Sequence, residues 1–171
     1  MKGVKFLFTG PECSGKTTIA TWAAGHWGGL VVPEFAPLHL QNINRPYEFE
    51  DLLVIANQQL MLEKLAERKG ISIFCDTSLL VIHVWMLEKY SRSLWEHGFD
   101  YHHLHDFDHV YLCRPDMVWE SSDFRENPED RSRLFELYQA QLNLLGVSFT
   151  ILEGPEEYRK ETLRSSFIQF S

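Results

Sequence analysis

Cysteine is scarce in this chain. Three occur in 171 residues, Cys13, Cys75 and Cys113, with no paired spacing, and each falls in or beside a predicted strand end or a glycine loop. A disulfide framework is not expected; reduced thiols in a cytoplasmic protein are. No run of Lys or Arg stands out, and 24 acidic against 16 basic residues give a formal net charge of -8. The cationic footprint of a duplex-binding or membrane-surface protein is missing, so neither nucleic acid nor membrane is expected as a partner. No apolar run approaches the roughly 20 residues that span a bilayer, and the first residues enter a strand without a signal-peptide pattern. Repeats, linkers and low-complexity tracts are absent. With 44% hydrophobic residues, the chain reads as one domain over residues 1–171 with a sizeable core.

What is present is one glycine loop around which the rest is arranged. Gly10-Pro11-Glu12-Cys13-Ser14-Gly15-Lys16-Thr17 fills every fixed position of the pattern GxxxxGKS/T, and Thr18 follows. Residues 4–9 before it read as a short buried strand, and Ile19, Trp22, Ala23 and Trp27 after it recur at helical spacing, the order a P-loop needs. The glycines allow backbone turns closed to side chains, so that successive N–H groups point at phosphate oxygens. Lys16 supplies a point charge for the terminal phosphates. Thr17 offers its hydroxyl to magnesium, and the following helix adds its positive dipole end. The expected ligand is ATP with Mg2+, held by residues 10–18.

Downstream, Leu30-Val31-Val32 reads as a strand ending at Pro33-Glu34-Phe35. Glu34 thus falls at the carboxyl edge of a strand, where open parallel sheets bind ligands; spacing alone equally allows a solvated loop glutamate. Residues 36–46 read as a loop and residues 48–68 as a helix with Leu52, Ile55, Ala56 and Leu60 on its apolar face. Gln58, Gln59 and Glu63 either line a pocket or, as surface helices routinely carry such residues, lie on its surface, the latter being preferred. The strand over 71–76 ends in Asp76, which reads as a magnesium-organising carboxylate complementing Thr17, as the cap of a helix over 79–90, or as both together. Thr77 then stands where many motor ATPases place a residue that polarises water, which weighs against hydrolysis as the main task. The stretch 93–104 with His97, His102, His103 and the nearby His105 has no companion ligand set and reads as a solvated helical connection. A fourth strand over 108–113 stops at Arg114-Pro115-Asp116. The polar segment that follows carries Arg125, with Arg131 and Arg133 beyond it. Arginines on a closing segment neutralise charge on a transferring phosphoryl group and exclude water, so a lid near residues 116–131 is expected. A helix over 130–145, a fifth strand over 147–152 and a last helix with Glu156-Glu157 in its first turn complete the chain. Five strands alternating with helices predict a three-layer α/β P-loop NTPase fold on a five-stranded parallel sheet.

Taken together, the residues resemble the ribosylnicotinamide kinase domain of the bifunctional NAD-biosynthesis regulator, a P-loop nucleoside kinase-like group with an AAA-type ATP-binding domain. The likeness runs through residues 10–18, Val32-Pro33-Glu34-Phe35-Ala36, Gln59 with Glu63, Phe74-Cys75-Asp76-Thr77, Pro115-Asp116, Trp119 to Arg125, Asn127-Pro128 and Arg131. It implies strand order 2-3-1-4-5, transfer of the ATP γ-phosphoryl group to a nucleoside 5'-hydroxyl, nicotinamide riboside as leading acceptor, and an arginine-bearing lid. The chain departs from that family at Pro37, Ser78 and Ser122-Asp123, all on the acceptor side. With no adenylyltransferase or DNA-binding segment ahead of the loop, a kinase unit rather than the whole regulator is expected.

Two functions compete. In a small-molecule kinase, Lys16 and magnesium hold the phosphates, Glu34 or Asp76 activates the acceptor hydroxyl, and Arg125 with Arg131 completes the charge clamp; the preferred assignment gives metal to Asp76 and acceptor to Glu34. The alternative is a regulatory NTPase without an acceptor. No Asn-Lys-x-Asp base-recognition sequence supports a GTPase, no Asp-Glu pair supports an ATPase, and the glycine triplet of shikimate kinases is missing. Lys16→Ala is expected to leave the fold intact, by thermal unfolding, while removing most triphosphate affinity or turnover; an unfolded variant or unchanged kinetics contradicts this.

Overall fold

The computed structural model describes residues 3–118 and 130–167. Its strands are β1 (Lys5–Thr9), β2 (Leu30–Val32), β3 (Ile73–Asp76), β4 (His109–Cys113) and β5 (Phe149–Leu152), all in one sheet of order β2-β3-β1-β4-β5. Every pairing is parallel. The helices are α1 (Lys16–Trp27), α2 (Ala36–Asn42), α3 (Phe49–Glu67), α4 (Leu79–Tyr90), α5 (Arg131–Leu144) and α6 (Glu156–Phe167). Fold class and strand order agree with the sequence reading. Among the described residues no helix is long and apolar enough to cross a membrane.

Alternation along β1 sets the layers, because successive side chains of a strand leave opposite faces. Phe6 and Phe8 pack with Phe74, Tyr111 and the α1 residues Ile19, Ala20 and Ala23 on one face, where Leu163 of α6 joins them. Leu7 lies on the other with Cys75, Val110 and Leu112 against Leu80, Val81 and Val84 of α4 and Leu134, Phe135 and Tyr138 of α5. A third cluster seats α3 on α4 through Leu52, Ile55 and Ala56 against Leu79, Ile82 and Met86. Cys75 and Cys113 are entombed in this core, and burial pushes the Cys113 thiol up to about 12. Cys75 and Cys113 are not disulfide-bonded.

Three local readings are corrected. The stretch expected as a loop over 36–46 begins with α2, whose first turn accommodates Pro37 because an N–H there has no helical partner to lose. The expected single helical stretch over 93–104 is two 3-10 turns, Leu94–His97 and Tyr101–Asp106, separated at Gly98 with φ 85°. Ser93 and Asp100 cap them by accepting from the backbone N–H groups of Trp95 and His102. The third correction concerns α3. Gln59 and Glu63, assigned to its surface, are buried.

Glu63 is fully buried and joins four elements. Its Oε1 accepts from the Ser78 hydroxyl at 2.8 Å, while Oε2 meets His103 Nε2 at 2.8 Å and Lys5 Nζ at 3.4 Å. His103 is thus an anchor rather than part of a solvated connection. Among the described residues no group of three or more His, Cys, Asp or Glu is arranged to hold a metal ion. A buried carboxylate shared by several donors is costly to remove, because its partners stay behind without a counter-charge. Glu63→Ala is therefore expected to destabilise the fold by about 3–5 kcal/mol in urea unfolding, and Glu63→Gln by less; a change below about 1 kcal/mol for Glu63→Ala contradicts the role.

Candidate active site

The P-loop leaves the sheet between β1 and β4. Gly10 has φ 134°, and a Cβ there would come within 2.6 Å of the Cys113 carbonyl oxygen, so glycine is required by close approach as well as by conformation. Gly15, with φ 79°, opens α1. The Ser14 hydroxyl donates to the Pro11 carbonyl at 2.8 Å and braces the loop from within. Lys16 Nζ donates to the carbonyls of Gly10 and Pro11 at 3.0 and 2.7 Å, which holds its charge across the mouth of the loop. A cavity of about 410 Å3 is lined by Gly10, residues 12–18 and Glu34.

A residue that sequence reasoning missed supports this loop from α6. Arg159 is only 3% exposed, and its guanidinium donates to the carbonyls of Ser14, Gly154 and Arg114 and pairs with Asp116. Asp116 also accepts from the Gly154 N–H at 2.6 Å. The planar fork of Arg thus ties the phosphate loop to the ends of β4 and β5. Nothing local in the sequence signals it, since Arg159 stands in a charged, surface-like helix.

The structure brings Thr17 and Asp76 together. The Thr17 hydroxyl donates to Asp76 Oδ2 at 2.6 Å, while Asp76 Oδ1 is buried without a hydrogen-bond partner. Burial raises the Asp76 carboxyl above its ordinary value, with Lys16 and the Thr17 hydrogen bond opposing the rise. A buried carboxylate oxygen with no donor, beside a hydroxyl and a lysine, suits a hard cation that completes its shell with phosphate oxygens and water. The residues present therefore fit magnesium. Asp76 is not the cap of α4; that position belongs to Ser78.

Glu34 lies beyond β2 and is half-buried in the wall of the phosphate cavity. Burial is the main cause raising its carboxyl to about 7, with Lys16 pulling it down and Asp76 and Glu12 pushing it up. Gln59 holds the connection that carries it, accepting from the Phe35 N–H at 2.9 Å and donating to the Pro33 carbonyl at 3.3 Å. Arg131, at the start of α5, donates to the Met117 carbonyl at 2.9 Å and reaches the Cys13 carbonyl of the P-loop at 3.4 Å. Arg125 and most of the expected lid lie outside the described residues.

A second cavity of about 470 Å3 adjoins the first. Glu12, Leu40, Trp85 and Tyr138 belong to both walls, and Arg45, Tyr47, Lys89 and Arg133 extend the second outward. Arg45 is fixed to Asp51 at 2.6 and 3.1 Å, and Asp51 also accepts from the Glu48 N–H at the start of α3. These contacts, led by Arg45, hold the Asp51 carboxyl well below the usual range. This outer cavity was not foreseen, because its residues are drawn from separate elements without a shared motif.

The profile of a family described as "AAA domain" matches residues 5–159. No curated protein matches significantly. Among solved structures, NadR protein in complex with NR superposes with a TM-score of 0.76 at 16% identity, over 98% of this chain and 51% of that one. The chain thus spans about half the length of that protein. Deoxyadenosine kinase from M. mycoides with dCMP and dCDP gives a TM-score of 0.67 at 16% identity, covering 97% of this chain and 100% of that one. YorR protein from Bacillus subtilis, in complex with phosphorylated GDP, gives 0.57 at 13% identity, over 98% and 99%. At these identities the likeness is one of fold.

Removing the Arg159 fork leaves Asp116 and three carbonyls without their donor. Arg159→Ala is expected to cost about 2–4 kcal/mol in urea unfolding and to weaken ATP binding, and Arg159→Lys to recover only part of both. Full recovery by lysine would show that charge alone suffices.

Proposed function

We propose, from the premise that this chain belongs to the AAA domain family, that it is an ATP-dependent kinase acting on the 5'-hydroxyl of a nucleoside, with nicotinamide riboside the first acceptor to test. The observation that carries this reading is the pair of adjoining cavities with Glu34 in the wall of the phosphate side. A triphosphate in the P-loop points its last phosphate toward the shared wall, and an acceptor in the outer cavity approaches from the other side. A nucleotide-binding module without an acceptor has no use for the second cavity.

The roles follow from position. Backbone N–H groups of the P-loop and Lys16 hold the phosphates. Thr17 and Asp76 would hold magnesium, which supplies charge neutralisation on the phosphate oxygens when bound. Glu34 accepts the proton of the acceptor hydroxyl as its oxygen bonds to the γ-phosphorus, and the bond to the bridging oxygen breaks to release ADP. Arg131 brings positive charge to the loop from α5, and Arg125 is proposed to join it. Most of the rate enhancement is positioning and electrostatics.

A carboxyl raised to about 7 is protonated below that pH and cannot take a proton. Acceptor-dependent kcat/KM is therefore expected to rise about tenfold per pH unit up to near pH 7 and then level off. Glu34→Gln is expected to lower turnover at least about a hundredfold and to abolish that limb while MgATP binding stays near wild type. The same ionisation acts on stability. Because the folded value lies above the ordinary 4.5, Glu34 favours folding fully below pH 4.5 and that contribution is lost as pH rises through about 7; Glu34→Gln removes the loss, up to about 2 kcal/mol after solvent screening. If Glu34→Gln keeps full turnover while Asp76→Asn loses it with ATP bound normally, the base is Asp76. ADP release measured with and without a nucleoside panel tests the function itself, since acceptor-independent turnover would indicate an NTPase.

A further inference from the structure

The outer cavity carries a charge pattern that bears on which acceptor it takes. Arg45 is neutralised by Asp51. Arg133 is held by Glu88 at 3.0 and 2.5 Å, with Asp130 at 3.4 Å, so both of those carboxylates face α5 rather than their neighbours on the wall. Glu12 stands at the junction with the phosphate cavity. Lys89 differs from the other cations. Its Nζ sits 3.4 Å from the centre of the Tyr47 ring and 3.4 Å from the Tyr47 carbonyl oxygen, and no carboxylate of the described residues forms an ion pair with it. Tyr47 in turn stacks on Trp85, with ring centres 6.1 Å apart and planes inclined by 29°. The aromatic wall against which a flat base would lie therefore already has a cation on it, with no opposite charge of its own.

We propose, building on the nucleoside-kinase reading, that Lys89 makes this cavity select a nucleoside whose aromatic ring carries a carboxylate, and turns it away from the uncompensated cationic ring of nicotinamide riboside. A ring stacked on Trp85 and Tyr47 lies on the order of 4–7 Å from its aromatic neighbours. Lys89 is exposed at the cavity edge, so at such separations like charge repels and a carboxylate attracts through solvent, by an amount that changes affinity about two- to fivefold. The usual preference of a bare aromatic face for a cation is cancelled, because the quadrupole of Tyr47 is already engaged by the ammonium. Discrimination comes as much from the repelled ligand as from the favoured one.

The test compares nicotinamide riboside with nicotinic acid riboside, which differ only by carboxamide against carboxylate. Steady-state kcat/KM with MgATP and equilibrium Kd without ATP are measured for the wild type, Lys89→Met and Lys89→Glu. The wild type is expected to favour the carboxylate about two- to fivefold in both constants. The ratio should fall toward unity in Lys89→Met and invert in Lys89→Glu. A wild-type preference for nicotinamide riboside, a ratio unmoved by either substitution, or no binding of either nucleoside overturns the proposal. If both nucleosides are phosphorylated without dependence on residue 89, the kinase reading stands and this one fails. If the carboxylate form binds preferentially through Lys89 but neither is phosphorylated, the selectivity stands and the kinase reading fails.

Discussion

The hydrogen bond from Thr17 to Asp76 joins the first turn of α1 to the end of β3 across 2.6 Å, and the geometry of both cavities follows from it. It exists because β1 and β3 are parallel neighbours in a register that sets Phe8 opposite Asp76. A slip of one residue would turn Asp76 to the opposite face of the sheet and leave Thr17 facing a cysteine. With β3 fixed beside β1, β2 is one strand further out, where Val32 pairs with Cys75. Two carboxylates at neighbouring strand ends thereby acquire different surroundings. Asp76 is against the hydroxyl and lysine of the loop, and Glu34 is in the wall of the phosphate cavity.

That arrangement is held from a distance by polar side chains that never enter it. Gln59 braces the turn after β2, Glu63 braces the turn after β3 through Ser78, and Arg159 braces the P-loop. All three are buried. An apolar residue at any of these points would pack as well but would leave backbone or hydroxyl groups without partners, and such a deficit costs more than the hydrogen bonds contribute in net terms. The three supports therefore act on where the connections run rather than on how much surface is buried.

The P-loop and the five strands were legible because each depends on short-range pattern, glycine spacing and apolar runs of strand length, whereas the strand order came only from the family resemblance. Glu34, Asp76, Lys16 and Thr17 inherit their positions from those runs. The burial of Gln59 and Glu63 was legible too, but only to periodicity. Gln59 stands seven residues after Leu52 and Glu63 seven after Ala56, so the helical turn that buries the apolar pair buries the polar pair. Their polar character pointed the other way, and spacing was the better guide. α2 was hidden by Pro37, which breaks helices in their interior but begins them readily. Arg159 and the outer cavity had no local signal, since Arg159 meets Ser14 from the far end of the chain and the cavity gathers residues from α2, α4, α5 and the loop before α3.

The all-parallel sheet also bears on how the chain is made. Of these five strands β1 is the first to be synthesised and is the central strand of the finished sheet, yet its partners are β3 and β4. β2, the second to emerge, pairs only with β3. Until residue 76 has been synthesised, neither early strand has a neighbour, and Phe6, Leu7 and Phe8 wait without a sheet to join. No hairpin offers a local start, and each pairing requires a long crossover to close first, the condition under which folding is slow. A nascent fragment ending before β3 thus contains the whole phosphate-loop motif in covalent form and none of the strand contacts that give it a shape.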